Sequence, residues 1–181
     1  MWRRRSAIKN VELSGAAKAV KKSCTGRKIM YPYAKNAEEL ESNLKEAIQD
    51  AIELAPEGVV ARLSPRFARL DFASKIVVLD YPSEPWMKNP AGFMHGGIIA
   101  AVMDNAMCTA VRGFAGIGDS PTVNLQISYI RPVRIPVPVH VRVRLSGLGR
   151  TVAHVSAELW QGENEARILA TAVSTVFVAE K

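Results

Sequence analysis

Cysteine is scarce in this chain: Cys24 and Cys108 are its two thiols, far apart along 181 residues. Two distant thiols build no disulfide framework and suit a reducing compartment. Cys24 lies in a basic stretch and Cys108 in an apolar one, where burial raises a thiol's pKa, so Cys108 reads as core rather than nucleophile. No uninterrupted apolar run reaches the ~20 residues of a membrane span. The three arginines near the start precede no apolar segment, which argues against a secretory signal. Histidine is limited to three residues. His140 and His154 fall in strand-like runs without an acidic or thiol partner at ligand spacing, so a structural reading is preferred and no metal is expected. Gly-x-Ser-x-Gly is absent, so a serine nucleophile finds no support, and no phosphate-loop or dinucleotide fingerprint appears either.

Charge is present but unevenly placed. The net charge is +7, yet residues 1–35 hold ten Lys/Arg against Glu12 alone, a local +9. The remaining residues carry 14 basic and 16 acidic groups, a net of −2. The basicity therefore belongs to a tail. Three readings stand for it: a solvated arm, an organelle transit segment, or a nucleic-acid-binding arm. The last lacks any accompanying recognition motif, so no nucleic-acid partner is expected. An intracellular location follows, with cytoplasm and mitochondrial matrix both open.

Periodicity divides the rest. Asn36 with Glu39 resembles a helix cap and capping-box partner. Leu40, Leu44, Ala47, Ile48, Ala51, Ile52 and Ala55 then recur at helical spacing until Pro56 and Gly58. Residues 56–72 look irregular, so 36–72 reads as an amphipathic helix plus linker and 73–181 as the main domain. Lys75–Tyr81 is a β-branched run stopped by Pro82, a strand. Gly96 to about Gly113 is apolar almost all round, as expected of a helix enclosed by other elements. Four strand-like runs follow: Thr122–Ile130, Val137–Leu145, Val152–Trp160 and Arg167–Val178. In the first, Val123, Leu125, Ile127 and Tyr129 share a face. In the second, Val139, Val141 and Val143 oppose His140, Arg142 and Arg144. Three hairpin-type connections would make these an antiparallel meander. Strand, buried helix and four strands imply an α+β domain, one curved sheet wrapped around a central helix, with an N-terminal helical extension.

The run His95-Gly-Gly-Ile-Ile-Ala-Ala-Val-Met-Asp104 concentrates the chemistry. Two glycines stand where the central helix begins, and Asp104 is the one charged residue between Gly96 and Val111. It lies too deep in the helix for capping, so it must be paired or put to use.

The segment from about Ser74 to Val178, somewhat over half the chain, resembles the hotdog fold. More narrowly it resembles acyl-CoA thioesterases of the phenylacetate-pathway and acyl-CoA thioesterase 13-like branch. The carrying residues are Asn89-Pro-x-Gly92-x-x-His95-Gly96-Gly97, then Asp104-Asn105, then Thr122-Val-Asn-Leu-Gln-Ile-Ser-Tyr129-Ile-Arg-Pro132. The resemblance implies hydrolysis of an acyl-CoA to a carboxylic acid and coenzyme A, with no cofactor because coenzyme A is part of the substrate. It implies that Gly97 N–H polarises the thioester carbonyl, with Gly96 permitting close approach. Asn89 and His95 would position the thioester. Asp104 would serve as general base or nucleophile, the two standing open, and Thr122 would orient the water or the carboxylate. Asn105 joins the substrate contacts, and Arg131, Arg134 and Arg150 are candidates for the coenzyme A phosphates. Trp86 and Met94 are candidates either for an acyl pocket or for ordinary packing.

These roles agree with elementary physics. A helix start presents unpaired N–H groups and a positive dipole end to a developing oxyanion. One such donor is typically worth ~10²–10³ in rate, and a positioned carboxylate base ~10²–10⁴. At ~1.5 Å rise per residue, His95 and Asp104 lie roughly 14 Å apart along one helix. A carbonyl held at the helix start must therefore meet an aspartate from elsewhere, and a second copy of the helix is the simplest source, so a twofold homodimer with shared sites is expected; a dimer of dimers is a separate expectation. Two other functions compete. A non-catalytic acyl-CoA-binding regulator would use the basic tail on DNA, but one strong helix before the domain does not make a helix-turn-helix set. An enoyl-CoA hydratase would need a different Asp/His arrangement.

Overall fold

The computed structural model describes residues 34–116 and 119–178. Cys24 and nearly all of the basic tail lie outside the described residues. The elements in order are α1 (Ala37–Leu54), α2 (Val59–Leu63), β1 (Arg66–Asp71), β2 (Ile76–Tyr81), a 3₁₀ turn (Pro85–Met87), α3 (Gly96–Ala115), β3 (Thr122–Tyr129), β4 (Val139–Leu148), β5 (Val152–Gln161) and β6 (Ala170–Phe177). The strands form one antiparallel six-stranded sheet in the order β1-β2-β4-β5-β6-β3. The sheet curves around α3, which packs on β2 through β6, the hotdog arrangement expected from the sequence.

Helix α3 is central because its sequence leaves it no exposed apolar-free face. Ile99, Val102, Met103, Ala106, Met107, Ala110, Val111 and Phe114 are all buried. Each large side chain so enclosed contributes about 1.5–3 kcal/mol relative to exposure. Gly116, in the left-handed region, ends the helix by donating its N–H to Arg112 O. By length and composition alone α3 passes as a membrane-crossing helix, although Asp104 and Arg112 interrupt its uncharged stretch. Eleven of its 20 residues are buried inside the domain, as befits a core helix.

Three expectations change. Residues 56–72 are not irregular: they hold α2 and the edge strand β1. The β1 ladder shifts register between Phe67 and Arg69, so its half-buried Phe67 and Leu70 stand three apart and the period of two is lost. The last four strands do not form one meander, because β3 pairs with β6 and not with β4. The connection between them contains Pro132, Pro136 and Pro138, which carry the chain across the sheet instead of through a tight turn. Finally, Val123 does not share the inner face with Leu125 and Ile127; it is 62% exposed.

Helix α1 begins as read, with Asn36 Oδ1 accepting from Glu39 N–H at 2.9 Å. The box is not reciprocal, since the Glu39 carboxylate accepts from Lys35 N–H. Leu40 and Leu44 of α1 lie fully buried against α3, and Asn43 Nδ2 donates to Gly113 O at 3.1 Å. Gly113 permits that approach: a Cβ there would stand 2.6 Å from Leu44 Cδ2 and 3.2 Å from Leu40 Cδ1. Gly113→Val should thus destabilise the protein by ~1–3 kcal/mol through overpacking, despite the better helix propensity of valine. Denaturant unfolding monitored by circular dichroism checks this; an unchanged midpoint would mean that α1 does not grip α3 at this position.

Candidate active site

His95 is the N-cap of α3, with extended backbone, and its Nδ1 accepts the Gly97 N–H at 3.0 Å. An accepting Nδ1 carries no proton, so the neutral ring holds its hydrogen on Nε2, facing outward from the helix start. His95 N–H is itself fixed by Met87 O at 2.8 Å. Gly97 matters here because a Cβ would come within 3.1 Å of His95 Nδ1. The Gly97 N–H, read from the sequence as the carbonyl-polarising donor, is therefore already engaged by His95. Gly96 N–H has no acceptor among the described residues, and Gly96 O accepts from Tyr129 OH at 3.1 Å.

Asn89 closes the loop leading into this helix start. Its N–H donates to Phe93 O at 2.8 Å and its Oδ1 accepts Phe93 N–H at 3.1 Å, which leaves the side-chain NH₂ as the outward donor. Met94 N–H donates to Val133 O at 2.9 Å, tying the loop to the β3–β4 connection. Asn89, His95, Gly96 and Gly97 are thereby gathered at one end of the domain.

Asp104 lies two turns further along α3, half-buried, and its Oδ1 accepts from Thr122 Oγ1 at 2.5 Å. Plain alternation would turn Thr122 away from the helix, on the face opposite Leu125 and Ile127. The β3 ladder instead shifts register between Thr122 and Asn124, so Thr122 pairs with the inward Val176. Val123 is the extra residue, a β-bulge that re-aims its neighbour toward α3. The disturbed ladder is repaired locally: Ser174 Oγ donates to Asn124 O at 2.8 Å.

Around this pair sit groups that sequence reasoning had placed elsewhere or missed. Cys108, one turn after Asp104, is half-buried with Sγ 3.2 Å from Thr122 Oγ1. Burial pushes its thiol up to about 11. Asn105, expected at the substrate, has its Oδ1 occupied by Tyr81 OH at 2.8 Å. Burial above all, with smaller contributions from the neighbouring Cys108 and Asp104, holds Tyr81 well above the usual phenol range, so it remains a neutral donor. Met94 is core, whereas Trp86 is exposed, covered on one side by Arg62 at 4.6 Å. His140 does have an acidic partner, Asp80 at 2.7 Å on the neighbouring strand β2, a pairing invisible before the β2–β4 register is known. His154 Nδ1 lies 3.2 Å from Thr175 Oγ1.

The three candidate arginines are not brought together in one chain. Arg131 donates to Ile168 O, and Arg134 lies in a bridge with Phe93, both at the His95 end. Arg150 occupies the β4–β5 turn at the Thr122 end of the sheet. The same separation divides the whole set. Asn89, His95 and Gly97 form one group and Asp104 with Thr122 another, linked by a regular helix that sets His95 and Asp104 roughly 14 Å apart.

Residues 91–168 match the family described as Thioesterase superfamily. A phenylacetic acid degradation-related protein of Ralstonia eutropha is 24% identical, with a TM-score of 0.62 over 75% of this chain and 99% of that one. Thioesterase superfamily member 2 of Mus musculus is 18% identical, with a TM-score of 0.61 over 76% of this chain and 96% of that one. A hypothetical thioesterase protein of Streptococcus pneumoniae, solved with coenzyme A, is 19% identical, with a TM-score of 0.56 over 65% of this chain and 90% of that one. These three share its fold. The chain thus has the hotdog fold of these structures, and the stretch that matches the thioesterase superfamily model includes His95, Asp104 and Thr122.

Proposed function

We propose that the protein hydrolyses an acyl-CoA thioester, and that each site is built from two copies of the chain. The observation that carries this reading is the half-buried Asp104, held by Thr122 and separated along α3 from the donor-bearing helix start. The family match and the coenzyme A-bound Streptococcus relative support the substrate class.

The β3 edge supplies the second copy. It is the last strand of the sheet, and Val123, Tyr129 and Ile130 along it are about half exposed or more. Unpaired apolar edges are usually covered. Antiparallel pairing of β3 with its own copy across a twofold axis would set the Thr122 end of one strand beside the Tyr129 end of the other. Thr122 is bonded to Asp104 and Tyr129 to Gly96. That pairing therefore brings the Asp104 of one chain to the His95–Gly97 segment of its partner.

In such a site the thioester oxygen meets the helix start. It competes with His95 Nδ1 for Gly97 N–H, while His95 Nε2–H and the Asn89 amide are further donors for the thioester. Asp104 from the other chain drives attack on the carbonyl carbon, by taking a proton from water or by attacking directly. The C–S bond breaks, the coenzyme A sulfur leaves and is protonated, and the net reaction consumes one water. No cofactor is required beyond the coenzyme A of the substrate.

Asp104→Asn is expected to lower kcat by ~10²–10⁴ across a panel of acyl-CoAs assayed by thiol release. Wild-type rates in that variant would refute the mechanism. Pairing Asp104→Asn with an Asn89→Ala/His95→Ala chain should restore up to about half of the wild-type activity per dimer, because one site in each mixed dimer keeps both halves intact. Verified mixed dimers without recovery would refute shared sites.

A further inference from the structure

Thr122 Oγ1 has two polar neighbours on α3: Asp104 Oδ1 at 2.5 Å and Cys108 Sγ at 3.2 Å. A hydroxyl owns one hydrogen. Spent on Asp104, an acceptor when ionised, it leaves Thr122 Oγ1 as an acceptor toward Cys108. The thiol must then be the donor. The order of the chain is Cys108 S–H to Thr122 O–H to Asp104 carboxylate.

We propose that Cys108 is a positioning residue for the Asp104 carboxylate, acting through Thr122: its thiol hydrogen fixes the Thr122 hydroxyl in the rotamer that donates to Asp104 Oδ1. This rests on the thioesterase reading above. Burial keeps the thiol protonated at neutral pH, as a donor must be. The spacing supplies the rest. Asp104 and Cys108 lie four apart on one face of α3, and the β3 bulge places Thr122 against both. With Oδ1 held in this way, Oδ2 is the carboxylate oxygen available for chemistry. A chain of two aligned hydrogen bonds also polarises the second one, strengthening the grip on the carboxylate. Helix and strand are thereby locked together at the aspartate itself, and a residue that composition assigns to the core acquires a directional role.

Two measurements test this. In a Cys24→Ser background the protein has one thiol, whose infrared S–H stretching band reports its hydrogen bond. Thr122→Val is expected to move that band toward the position of a non-donating thiol; a band that does not move overturns the proposal. This readout does not depend on any activity, so it stands apart from the Asp104→Asn assay that decides the thioesterase reading. The second measurement is a double-mutant cycle on hydrolysis. Cys108→Ala should lower kcat about 3- to 10-fold with KM unchanged, and Cys108→Ser, which keeps a donor, should recover part of the loss. In a Thr122→Val background, Cys108→Ala should add no further loss, since the group it acts through is gone. Equal losses in both backgrounds would mean that Cys108 merely fills space, and would overturn the proposal.

Discussion

The hydrogen bond from Thr122 to Asp104 exists because one strand carries one residue too many. Without the bulge at Val123, Thr122 would face outward, and the aspartate in the apolar stretch of α3 would lose its partner at 2.5 Å. A half-buried carboxylate without a donor is costly, and leaving it unpaired typically costs more than the bond itself contributes. The bulge thus reconciles two conflicting demands. The helix must be apolar to fill a curved sheet, yet it carries a charge within its apolar stretch. Beside the irregular ladder, Ser174 Oγ also donates to the Asn124 carbonyl.

The other end of α3 is organised by a different device. His95 caps the helix with its own ring nitrogen, so the donor at Gly97 is occupied. Tyr129 reaches from the opposite end of β3 to the Gly96 carbonyl. One strand therefore touches α3 at both candidate points, whose separation the helix sets. Behind the helix, α1 packs Leu40 and Leu44 into the gap left by Gly113, bracing the segment that follows Asp104. Helix α1, which precedes the family match, thus supports the helix that the match covers, although it contributes none of the candidate site groups.

Much of this was legible in the sequence, and the reasons differ from part to part. The buried helix could be read because apolar residues surround it on every side, and Asp104 stood out as an exception that needed explanation. The β4 alternation, with Val139, Val141 and Val143 inward, holds in the structure because both of its neighbours are regular at that point. Strand β1 was missed because its bulge sets Phe67 and Leu70 three apart, a spacing that imitates no strand. The partner of β3 was misread because adjacency in sequence favours a hairpin, whereas three prolines carry the chain to the far edge. Thr122 was placed at the site by resemblance alone; its strand periodicity pointed the other way. The polar contacts of Cys108 and Tyr81 escaped notice because a hydrogen-bond partner on another element leaves no trace in local pattern.

The most direct measurement is a crystal structure of the protein with a ketone analogue of an acyl-CoA, in which a methylene group replaces the thioester sulfur. The expected result is a carbonyl seated at His95 and Gly97 of one copy, with Asp104 of a second copy within about 3.5 Å of its carbon. A carbonyl enclosed by His95 and Asp104 of one and the same chain would contradict the shared site.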